Sequence, residues 1–251
     1  DFIGPESGDQ ACGDVGEGRM SEPEDIAFAI AKSFSSSYLN GMRILITAGP
    51  TKEAIDPVRY LTNNSSGKMG YALAESAFLA GAQVDLVSGP VSINAYEGVN
   101  LHKINSADEM LEKIKTLIND TDIFIGCAAV ADFKPTNYID SKIKKTDENN
   151  MSINLTKNPD ILKYASDKMK DKIVIGFSAE TDNIIENARL KLSKKDLDMI
   201  ICNDVSDSSI GFDSDNNEVH IITKDYEKKL HKTSKIRIAK EILKNIEPLI
   251  N

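Results

Sequence analysis

The loop between residues 48 and 67 carries side chains that could hold an anionic ligand. It follows an apolar run, Arg43 to Ala48, and a turn at Gly49-Pro50-Thr51 where the backbone can approach a ligand closely. The loop contains the guanidinium of Arg59 and the amide of Asn63. Gly67 then opens an amphipathic helix, whose first N–H groups and positive dipole favour anions. These residue types in this order predict a site for a phosphate or a carboxylate.

Two later strand-like runs also end in small residues, at Gly126 to Ala129 and at Gly176 to Ala179. With Gly49 they make three strand ends that would lie side by side in a parallel sheet. Such ends can read a base edge or hold a phosphate through backbone N–H and C=O groups. Close packing of strand on helix explains a single glycine-rich end equally well, but three together favour a site.

The charged and amide side chains near these strand ends have both functional and structural interpretations. Asp132 could hold a magnesium-bound phosphate or a sugar hydroxyl, or could cap a helix or a turn. Lys142, Lys191 and Lys195 could supply point charges for a triphosphate, or could be solvated surface lysines. Asn63 could donate to a developing negative charge or merely build the turn. The sequence shows no Ser/His/Asp or Cys/His arrangement, so we expect no covalent nucleophile.

The alternation of strand-like and helical runs predicts the fold. Residues 42 to 87 form a β-loop-α-β unit, and the alternation continues to a hairpin near residue 220 and a closing helix at 235 to 246. We expect an α/β, Rossmann-like doubly wound fold, a mostly parallel sheet with helices on both faces, plus a small late β hairpin. The run ending at Asp132 is the most strand-like in the chain. The lysine-bearing stretch 133 to 157 suits a flexible lid or arm.

The first 40 residues differ from the rest. Residues 1 to 22 are glycine-rich and lack hydrophobic periodicity, which predicts a flexible loop. A helix capped by Ser21 follows at residues 25 to 31, and a linker rich in serine ends near residue 40. We therefore expect two units, 1–40 and 41–251. Asp1 is not a natural start, so we expect the chain to be part of a longer protein.

Composition and charge exclude several classes of function. The 251 residues carry a formal net charge of −9, which disfavours nucleic acid and membrane surfaces as partners, because both require a positive field. Three widely spaced cysteines predict no disulfide framework. Without a signal peptide or a long apolar run, we expect a cytoplasmic protein. The sequence contains neither G-x-G-x-x-G nor G-x-x-x-x-G-K-[ST], so residue patterns alone indicate a nucleotide- or phosphate-binding α/β domain and no more.

Longer motifs make the prediction more specific. Between residues 42 and 251 the chain resembles the phosphopantothenoylcysteine synthetase family, the phosphopantothenate–cysteine ligases of coenzyme A biosynthesis, in the motifs TAGPTKEAIDPVRYLTNNSSGKMG, SGPV, GCAAVADFKP, KIKK, KNPDIL, GFSAET and NDVS…GFDSDNN. The preceding GPESGDQACGDVGEGRM resembles the substrate-binding flap of phosphopantothenoylcysteine decarboxylase, a flavoprotein often fused in front of the synthetase in bacteria. The chain looks like such a bifunctional protein without most of its decarboxylase.

The resemblance implies a ligase with three substrates, 4'-phosphopantothenate, L-cysteine and CTP, the last with Mg²⁺. The phosphopantothenate carboxylate attacks the α-phosphate of CTP, giving an acyl-cytidylate and pyrophosphate, and the cysteine amine then displaces CMP. Charge neutralisation and positioning suffice for this chemistry. The resemblance, and no residue pattern, selects CTP over ATP.

The resemblance also assigns roles to individual residues. Asn63 and Lys142 would be catalytic, and Arg59 would reach the neighbouring site across a homodimer interface. Asp132 would lie between the two substrates and bind the magnesium ion. The residues expected to contact phosphopantothenate are Arg59, Asn63, Ala128, Ala129 and Asp132. Those expected to contact the nucleotide are Gly126, Cys127, Ala128, Asp132, Lys142, Pro159, Asp160, Ile161, Leu162, Phe177, Lys191 and Lys195.

The decarboxylase-like front end carries Cys12, which matches the proton donor of that family's flap. The flavin-binding sheet and the catalytic histidine of the decarboxylases have no counterpart here, so FMN, decarboxylation and a larger assembly are expected only in an intact fusion. Two other functions remain open: a Rossmann-type NAD(P)-dependent oxidoreductase, and a non-catalytic domain that holds decarboxylase subunits together. The missing G-x-G-x-x-G argues against the oxidoreductase, and the density of motifs favours the ligase.

Overall fold

The computed structural model of the chain describes residues 2–10, 13–33, 37–144, 150–180, 183–204 and 214–250. Its elements, in chain order, are β1 (Glu6–Asp9), β2 (Val15–Arg19), α1 (Pro23–Ser33), β3 (Arg43–Ala48), β4 (Lys52–Ala54), β5 (Tyr60–Thr62), α2 (Lys68–Leu79), β6 (Gln83–Ser88), β7 (Asn100–Lys103), α3 (Ala107–Leu117), β8 (Ile123–Gly126), β9 (Phe133–Pro135), β10 (Leu155–Lys157), α4 (Ile161–Lys168), β11 (Ile173–Glu180), α5 (Ile184–Lys195), β12 (Met199–Asp204), β13 (Asn216–Thr223), β14 (Glu227–Ser234) and α6 (Lys235–Ile246). Single 3₁₀ turns follow α3 and α6.

Eight of these strands form one central sheet in the order β14-β13-β12-β11-β8-β3-β6-β7. The strands from β7 to β12 in this order are parallel, and β13 and β14 form an antiparallel hairpin at the edge. The chain leaves β3 towards β6 and β7 on one side, and continues from β8 to β11 and β12 on the other. The switch point of this doubly wound sheet therefore lies between β3 and β8. The predicted fold class, with its late hairpin, is confirmed.

Helices cover both faces of the sheet. Leu73 of α2 and Ile242 of α6 pack on the face that includes Ile46 of β3. The helices α3, α4 and α5 pack on the other face, over Leu45 and Phe124. Because successive side chains of a strand point to opposite faces, a strand covered on both sides must be apolar at every position. This is why the central strands appear in the sequence as continuous apolar runs.

The run predicted as one strand through Asp132 is a strand only as far as Gly126. Beyond Gly126 its backbone bonds to the segment after β3, as in the 2.9 Å bond from the Ala129 N–H to the Gly49 carbonyl. The prediction of a longer strand is therefore wrong. Small apolar residues suit a buried strand and a buried loop equally, and the bonding partners lie far earlier in the chain.

Segments predicted as loops contain short antiparallel hairpins. β1 pairs with β2 within residues 1 to 22, β4 with β5 in the polar loop after β3, and β9 with β10 in the lysine-bearing stretch. The predicted flexible loop at residues 1 to 22 is thus corrected to a hairpin. Two-stranded pairing needs only backbone hydrogen bonds, so low hydrophobicity was a poor guide to it.

Two further findings complete the fold. The helix α5 begins only at Ile184, because β11 continues alongside β12 as far as Glu180. Among the described residues, no helix is long and apolar enough to cross a bilayer.

Candidate active site

A cleft of about 910 Å³ opens at the carboxyl ends of β3, β8 and β11. These strands are neighbours in the sheet, so the three strand ends with small residues lie side by side as predicted. The volume suits a nucleotide-sized ligand. The wall is formed by residues 63–70, 126–133, 157–162 and 177–179, together with Thr47, Phe124, Lys191, Lys195, Asn203, Asn217 and Lys235.

Threonine side chains hold the loop after β8 against the segment after β3. The Ala128 N–H donates to Thr47 Oγ1 at 3.2 Å, and the Ala131 N–H donates to Thr51 Oγ1 at 3.0 Å. Both threonines are buried, so these bonds are shielded from water and are strengthened by the low local dielectric. The backbone of residues 128–131, hereafter the floor, is therefore fixed at the switch point of the sheet.

The amide of Asn63 lies against this floor. Its Nδ2 donates to the Val130 carbonyl at 3.0 Å and lies 3.5 Å from the Ala129 carbonyl. The adjacent Thr62 hydroxyl donates to the Thr51 carbonyl at 2.8 Å, which ties the end of β5 to the same structure. The Asn63 side chain is exposed in the cleft, so the rest of its amide is accessible to a ligand.

The helix α2 begins at the cleft with a glycine at its N-cap. Gly67 has a φ of 77°, and a Cβ there would lie 2.7 Å from Val91 Cγ1, so no other residue fits. The Ser65 hydroxyl accepts from the Gly67 N–H at 3.3 Å. Ser65, Ser66 and the first turn of α2 line the cleft. They bring hydroxyl and N–H donors to the positive end of the helix dipole, as the sequence predicted.

A charged group lies on another wall of the cleft, at the start of α4; we call Asp160, Lys191 and Lys195 the Lys195 cluster. Asp160 caps α4 by accepting from the Lys163 N–H at 3.0 Å, and it accepts from Lys195 Nζ at 2.9 Å. Partial burial is the largest influence and opposes ionisation, but the hydrogen bonds and charges of Lys195 and Lys163 together lower the pKa of the Asp160 carboxyl. At neutral pH the cluster thus holds two lysines and one carboxylate.

Two buried polar atoms of the cleft wall lack a hydrogen-bond partner among the described residues. Asn158 donates from Nδ2 to the Ala131 carbonyl at 2.8 Å and from its N–H to the Asp132 carbonyl at 2.9 Å, but its Oδ1 accepts no bond. The buried Ser178 hydroxyl of β11 likewise has no hydrogen-bond partner among the described residues. Buried polar groups are normally paired, so these atoms mark positions where polar groups of a ligand would bond.

Cys127 does not supply a nucleophile. Burial raises the pKa of its thiol to about 12, although the nearby Lys235 ammonium opposes the rise. At physiological pH the thiol is neutral and acts as a small apolar wall residue.

Most residues predicted for the site line the cleft: Asn63, Gly126, Cys127, Ala128, Ala129, Asp132, Pro159, Asp160, Ile161, Leu162, Phe177, Lys191 and Lys195. Arg59 and Lys142 do not. Arg59 Nη1 pairs with Asp56 at 3.2 Å, and Arg59 Nη2 donates to the Ile143 carbonyl at 3.3 Å. The buried Asp56 carboxylate also accepts from the Ile143 N–H at 3.2 Å, so it anchors both Arg59 and the loop that carries the exposed Lys142. The roles of Arg59 and Lys142 stay predictions, and Cys12 lies outside the described residues.

The wall residues that were not predicted include Asn203, Asn217 and Lys235. They come from β12, β13 and α6, and only the order of strands in the sheet brings these elements to the cleft. Lys235 is 7% exposed, which is rare for a lysine. Its one local signal is its position as the first residue of a helix, where the dipole disfavours a cation.

Asp132 offers a carboxylate that fits a magnesium ion. The residue is exposed in the cleft, and its bond to Asn158 uses the backbone carbonyl, not the carboxylate. Within the described ranges, no group of three or more His, Cys, Asp or Glu side chains could hold a metal ion. Mg²⁺ needs only one or two carboxylates when phosphate oxygens and water complete its shell. The donor set therefore fits a magnesium ion that arrives with a nucleotide.

Known proteins with similar sequences carry the same domain. The family described as DNA/pantothenate metabolism flavoprotein C-terminal domain matches residues 39–249. The coenzyme A biosynthesis bifunctional protein CoaBC of Vibrio vulnificus (strain YJ016) is 48% identical over 249 residues, which are 98% of this chain and 62% of that protein. The protein of the same name from Bacillus subtilis (strain 168) is 46% identical over 253 residues, with coverages of 99% and 62%. The chain thus spans about 62% of the length of these curated relatives.

A similar structure is also known. The crystal structure of the C-terminal domain of a coenzyme A biosynthesis bifunctional protein CoaBC matches with a TM-score of 0.74 and 41% identity, over 86% of this chain and 98% of that one. The resemblance drawn from the motifs is confirmed by these matches. The chain belongs to the DNA/pantothenate metabolism flavoprotein C-terminal domain family.

Proposed function

We propose that the chain is the ligase part of a coenzyme A biosynthesis enzyme and joins 4'-phosphopantothenate to L-cysteine through an acyl-cytidylate. The observation that carries this proposal is the position of Asn63, whose amide is held on the floor of a cleft that the start of α2 and the Lys195 cluster also line. An amide donor in a cleft that also carries lysines and a helix N-terminus suits the condensation of two acidic substrates. The relatives named for coenzyme A biosynthesis support the same reaction.

The proposed reaction has two displacement steps. First, a carboxylate oxygen of 4'-phosphopantothenate attacks the α-phosphorus of CTP, the P–O bond to pyrophosphate breaks, and pyrophosphate leaves with that electron pair. Second, the cysteine nitrogen attacks the acyl carbon, the C–O bond to CMP breaks, and the amine proton passes to solvent. Both steps develop negative charge at defined positions. Fixed donors and cations can therefore catalyse them without an enzyme nucleophile.

Asn63 and the floor form the acyl side of the proposed site. The Asn63 amide donates to the acyl oxygen as negative charge develops there in the second step. Ala128 and Ala129 present backbone and small side chains to phosphopantothenate, and Asp132 lies between the two substrates. A magnesium ion bound with CTP would be held by Asp132 and would neutralise phosphate charge.

The Lys195 cluster and the start of α4 form the nucleotide side. Lys191 and Lys195 supply cations for the triphosphate, and the N–H groups at Asp160 add donors at a helix end. The unpaired Ser178 hydroxyl is available to the ribose or the base. Lys142 would add its charge from the loop anchored at Asp56. The choice of CTP over ATP belongs to the proposal and is supported by the resemblance to bacterial synthetases.

The proposal includes a homodimer. Exposed apolar side chains lie on the hairpins β4–β5 and β9–β10 and on the segment between β9 and β10. A hydrogen bond from the Ile139 N–H to the Ile55 carbonyl connects this segment to the hairpin β4–β5. A patch of this kind typically marks a protein–protein contact. Arg59 lies in the turn of the hairpin β4–β5, between two residues of the patch, and would reach the partner's site from there. We call the patch the apolar face, and its members are Val58, Tyr60, Phe133, Tyr138, Ile139, Met151 and Leu155.

Properties of the longer protein are also proposals. The family match beginning at residue 39 supports a boundary near residue 40, between a decarboxylase-like segment 1–40 and the ligase unit 41–251. An intact fusion would bind FMN in its decarboxylase part and form a larger assembly. A cytoplasmic location is proposed because the cysteine substrate must keep its thiol reduced.

The two alternatives receive less support. A dinucleotide-binding oxidoreductase places a tight glycine-rich turn between its first strand and helix, whereas here the hairpin β4–β5 and the Asn63 loop separate β3 from α2. A non-catalytic assembly domain would not require a cleft in which polar atoms lack partners. Turnover by the isolated chain would exclude the assembly domain as its sole role.

The test is pyrophosphate release by the purified chain with 4'-phosphopantothenate and magnesium, comparing CTP with ATP and omitting cysteine in parallel. We expect release to favour CTP strongly, and sustained turnover to require cysteine. A folded, dimeric protein that releases no pyrophosphate with either nucleotide would refute the proposal. Binding of NAD(P)H in the same preparation would instead favour the oxidoreductase.

A further inference from the structure

The segment Gly89-Pro90-Val91 follows β6 and ends beside the cleft without lining it. The Gly89 N–H donates to the Ala48 carbonyl at 3.0 Å, which extends the pairing of β6 with β3 beyond the last strand residue. The hydroxyl of buried Ser88 donates to the Gly89 carbonyl at 2.9 Å. The backbone before Val91 is therefore fixed at the carboxyl end of β6, at the edge of the sheet where the cleft opens.

The side chain of Val91 fills the space beside two glycines. A Cβ on Gly49 would lie 2.9 Å from Val91 Cγ1, and a Cβ on Gly67 would lie 2.7 Å from the same atom. Both distances are shorter than a van der Waals contact, so one methyl group of Val91 packs on the backbone of both glycines. The two glycines also face each other, because a Cβ on Gly67 would lie 3.6 Å from Gly49 Cα. The three residues therefore meet at one point.

Each of these glycines belongs to a different part of the site. The Gly49 carbonyl accepts from the Ala129 N–H at 2.9 Å, so Gly49 holds the floor. Gly67 is the N-cap of α2, and its carbonyl accepts from the Tyr71 N–H at 3.1 Å, so Gly67 holds the first turn of that helix. One methyl group of Val91 thus packs on the two residues that connect the floor and the start of α2 to the sheet.

A valine suits this contact. Branching at Cβ leaves few allowed χ1 rotamers, so the position of the methyl group is well defined. The Val91 side chain is half-buried. Its two partners are glycines, which have no side chain that could fill the space if the methyl group were removed. Loss of that methyl group would therefore let Gly67 move relative to Gly49, and the start of α2 would move relative to the floor.

We propose that Val91 is a positioning residue, which sets the distance between the floor and the first turn of α2. The inference rests on the proposed function, in which a carboxylate oxygen of one bound substrate must meet the α-phosphorus of another. A misplacement of reacting groups by about 1 Å can slow such a step about 100-fold. Val91 does not line the cleft, so it acts on the reaction through Gly49 and Gly67.

The first test is the effect of Val91→Ala on kcat and KM. The floor and the start of α2 keep their own donors in this variant, so each substrate still binds, but the alignment of the reacting groups is lost. We expect kcat to fall about 10- to 100-fold. The KM for 4'-phosphopantothenate and the KM for CTP should stay within about threefold of the parent values. Val91→Thr has the shape of valine and keeps a methyl group in the place of Cγ1, so its kcat should stay within about threefold of the parent value.

Amide hydrogen exchange tests the same contact without the reaction. Peptides that cover residues 63–70 and 126–132 report on the start of α2 and on the floor. In Val91→Ala, amides of both peptides should exchange about tenfold faster than in the parent, because both segments lose a packing partner of the glycines that hold them. Val91→Thr should exchange like the parent. Unchanged exchange of both peptides in Val91→Ala would overturn the inference.

Controls separate positioning from stability. Val99→Ala removes the same two methyl groups from a half-buried valine at the other end of the same loop, where it packs on the core under α2 and α6. This variant should lower Tm as Val91→Ala does, but change neither kcat nor the exchange of the two peptides. If Val91→Ala does not fold, Val91→Leu makes the same test with the same expected losses, because leucine keeps the apolar volume without the branch at Cβ.

The outcomes also separate this inference from the proposed function. A kcat of Val91→Ala within about threefold of the parent value, or an equal loss in Val91→Thr, would overturn the inference while leaving the ligase intact. An inactive parent protein would instead refute the proposed function. The exchange measurement would then still decide whether Val91 holds the floor and the start of α2 together.

Discussion

Replacing Asn63 by aspartate should separate the two chemical steps. The amide now donates from Nδ2 to the Val130 carbonyl at 3.0 Å, with the Ala129 carbonyl at 3.5 Å. A carboxylate has no N–H group, so it could not donate a hydrogen bond to these two carbonyl oxygens and would be repelled by them. The same oxygen atoms would point into the cleft where the acyl oxygen gains negative charge. The substitution keeps the size of the side chain but replaces its hydrogen-bond donor by an acceptor.

The expected magnitudes differ between folding and catalysis. Asn63 is exposed, so losing its hydrogen bond should lower the free energy of unfolding by only about 1 kcal/mol. Removing one donor from a developing oxyanion typically slows the chemical step about 10²- to 10³-fold. In the proposed mechanism the first step develops its charge on the phosphates, which the lysines would hold. The second develops it on the acyl oxygen, so Asn63→Asp should slow the second step more.

The assay is a chemical quench of a single enzyme turnover with CTP labelled in the α-phosphate. We expect a burst of pyrophosphate close to one per site, a labelled acyl-cytidylate that persists, and slow appearance of CMP after cysteine is added. Asn119→Asp makes the same charge change in the 3₁₀ turn before β8, at the amino ends of the parallel strands and away from the cleft. This variant should behave like the parent. Steady-state turnover by Asn63→Asp within about threefold of the parent would refute the role given to Asn63.

Three further predictions concern the scaffold. Gly70→Ala would place a Cβ 2.5 Å from the Ala48 Cβ. Although alanine has the better helix propensity, the substitution should lower the free energy of unfolding, measured by urea titration, by about 1–2 kcal/mol. A higher free energy of unfolding would contradict this close packing of α2 on β3. The pKa of Asp160 is lowered in the folded state, so its contribution to stability is present above about pH 4 and is lost on acidification. Asp160→Asn should therefore flatten the fall in Tm between about pH 5 and pH 3. An unchanged slope would show that the Asp160 carboxylate does not stabilise the fold. Leu155→Glu puts a charge on the apolar face and should shift the protein from dimer to monomer in sedimentation, whereas an unchanged sedimentation coefficient would place the interface elsewhere.

The local parts of the fold could be predicted because their causes are local. The closing helix was predicted at residues 235 to 246, and α6 has these bounds, since its apolar positions repeat at the helical period. The Ser106 hydroxyl caps α3 by accepting from the Glu109 N–H at 3.2 Å, an interaction that the S-x-x-E pattern of residues 106–109 indicates locally. β3 likewise occupies its predicted run, because a strand buried on both faces is apolar throughout.

The parts of the site that depend on distant pairing could not be predicted from patterns. The loop through Ala129 read as a strand, because the sequence does not show that its N–H groups bond to the turn after β3. Lys235 lies at the cleft only because β14 returns parallel to β3 at the far edge of the sheet. In the sequence it is a lysine near the end of the chain, like several of its neighbours. Its burial is a property of the packed sheet and helices.

The topology brings positive charge to the cleft from both faces of the sheet. At the switch point the chain leaves the sheet in opposite directions, so helices of both faces begin around one cleft. Each face brings its own lysines, Lys68 and Lys235 on one and Lys191 and Lys195 on the other. In the proposed reaction, two acidic substrates that would repel each other in water would both meet lysines of the cleft. The floor holds the Asn63 amide in the cleft, where the proposed function places the reacting groups, while the neutral Cys127 thiol stays a wall residue.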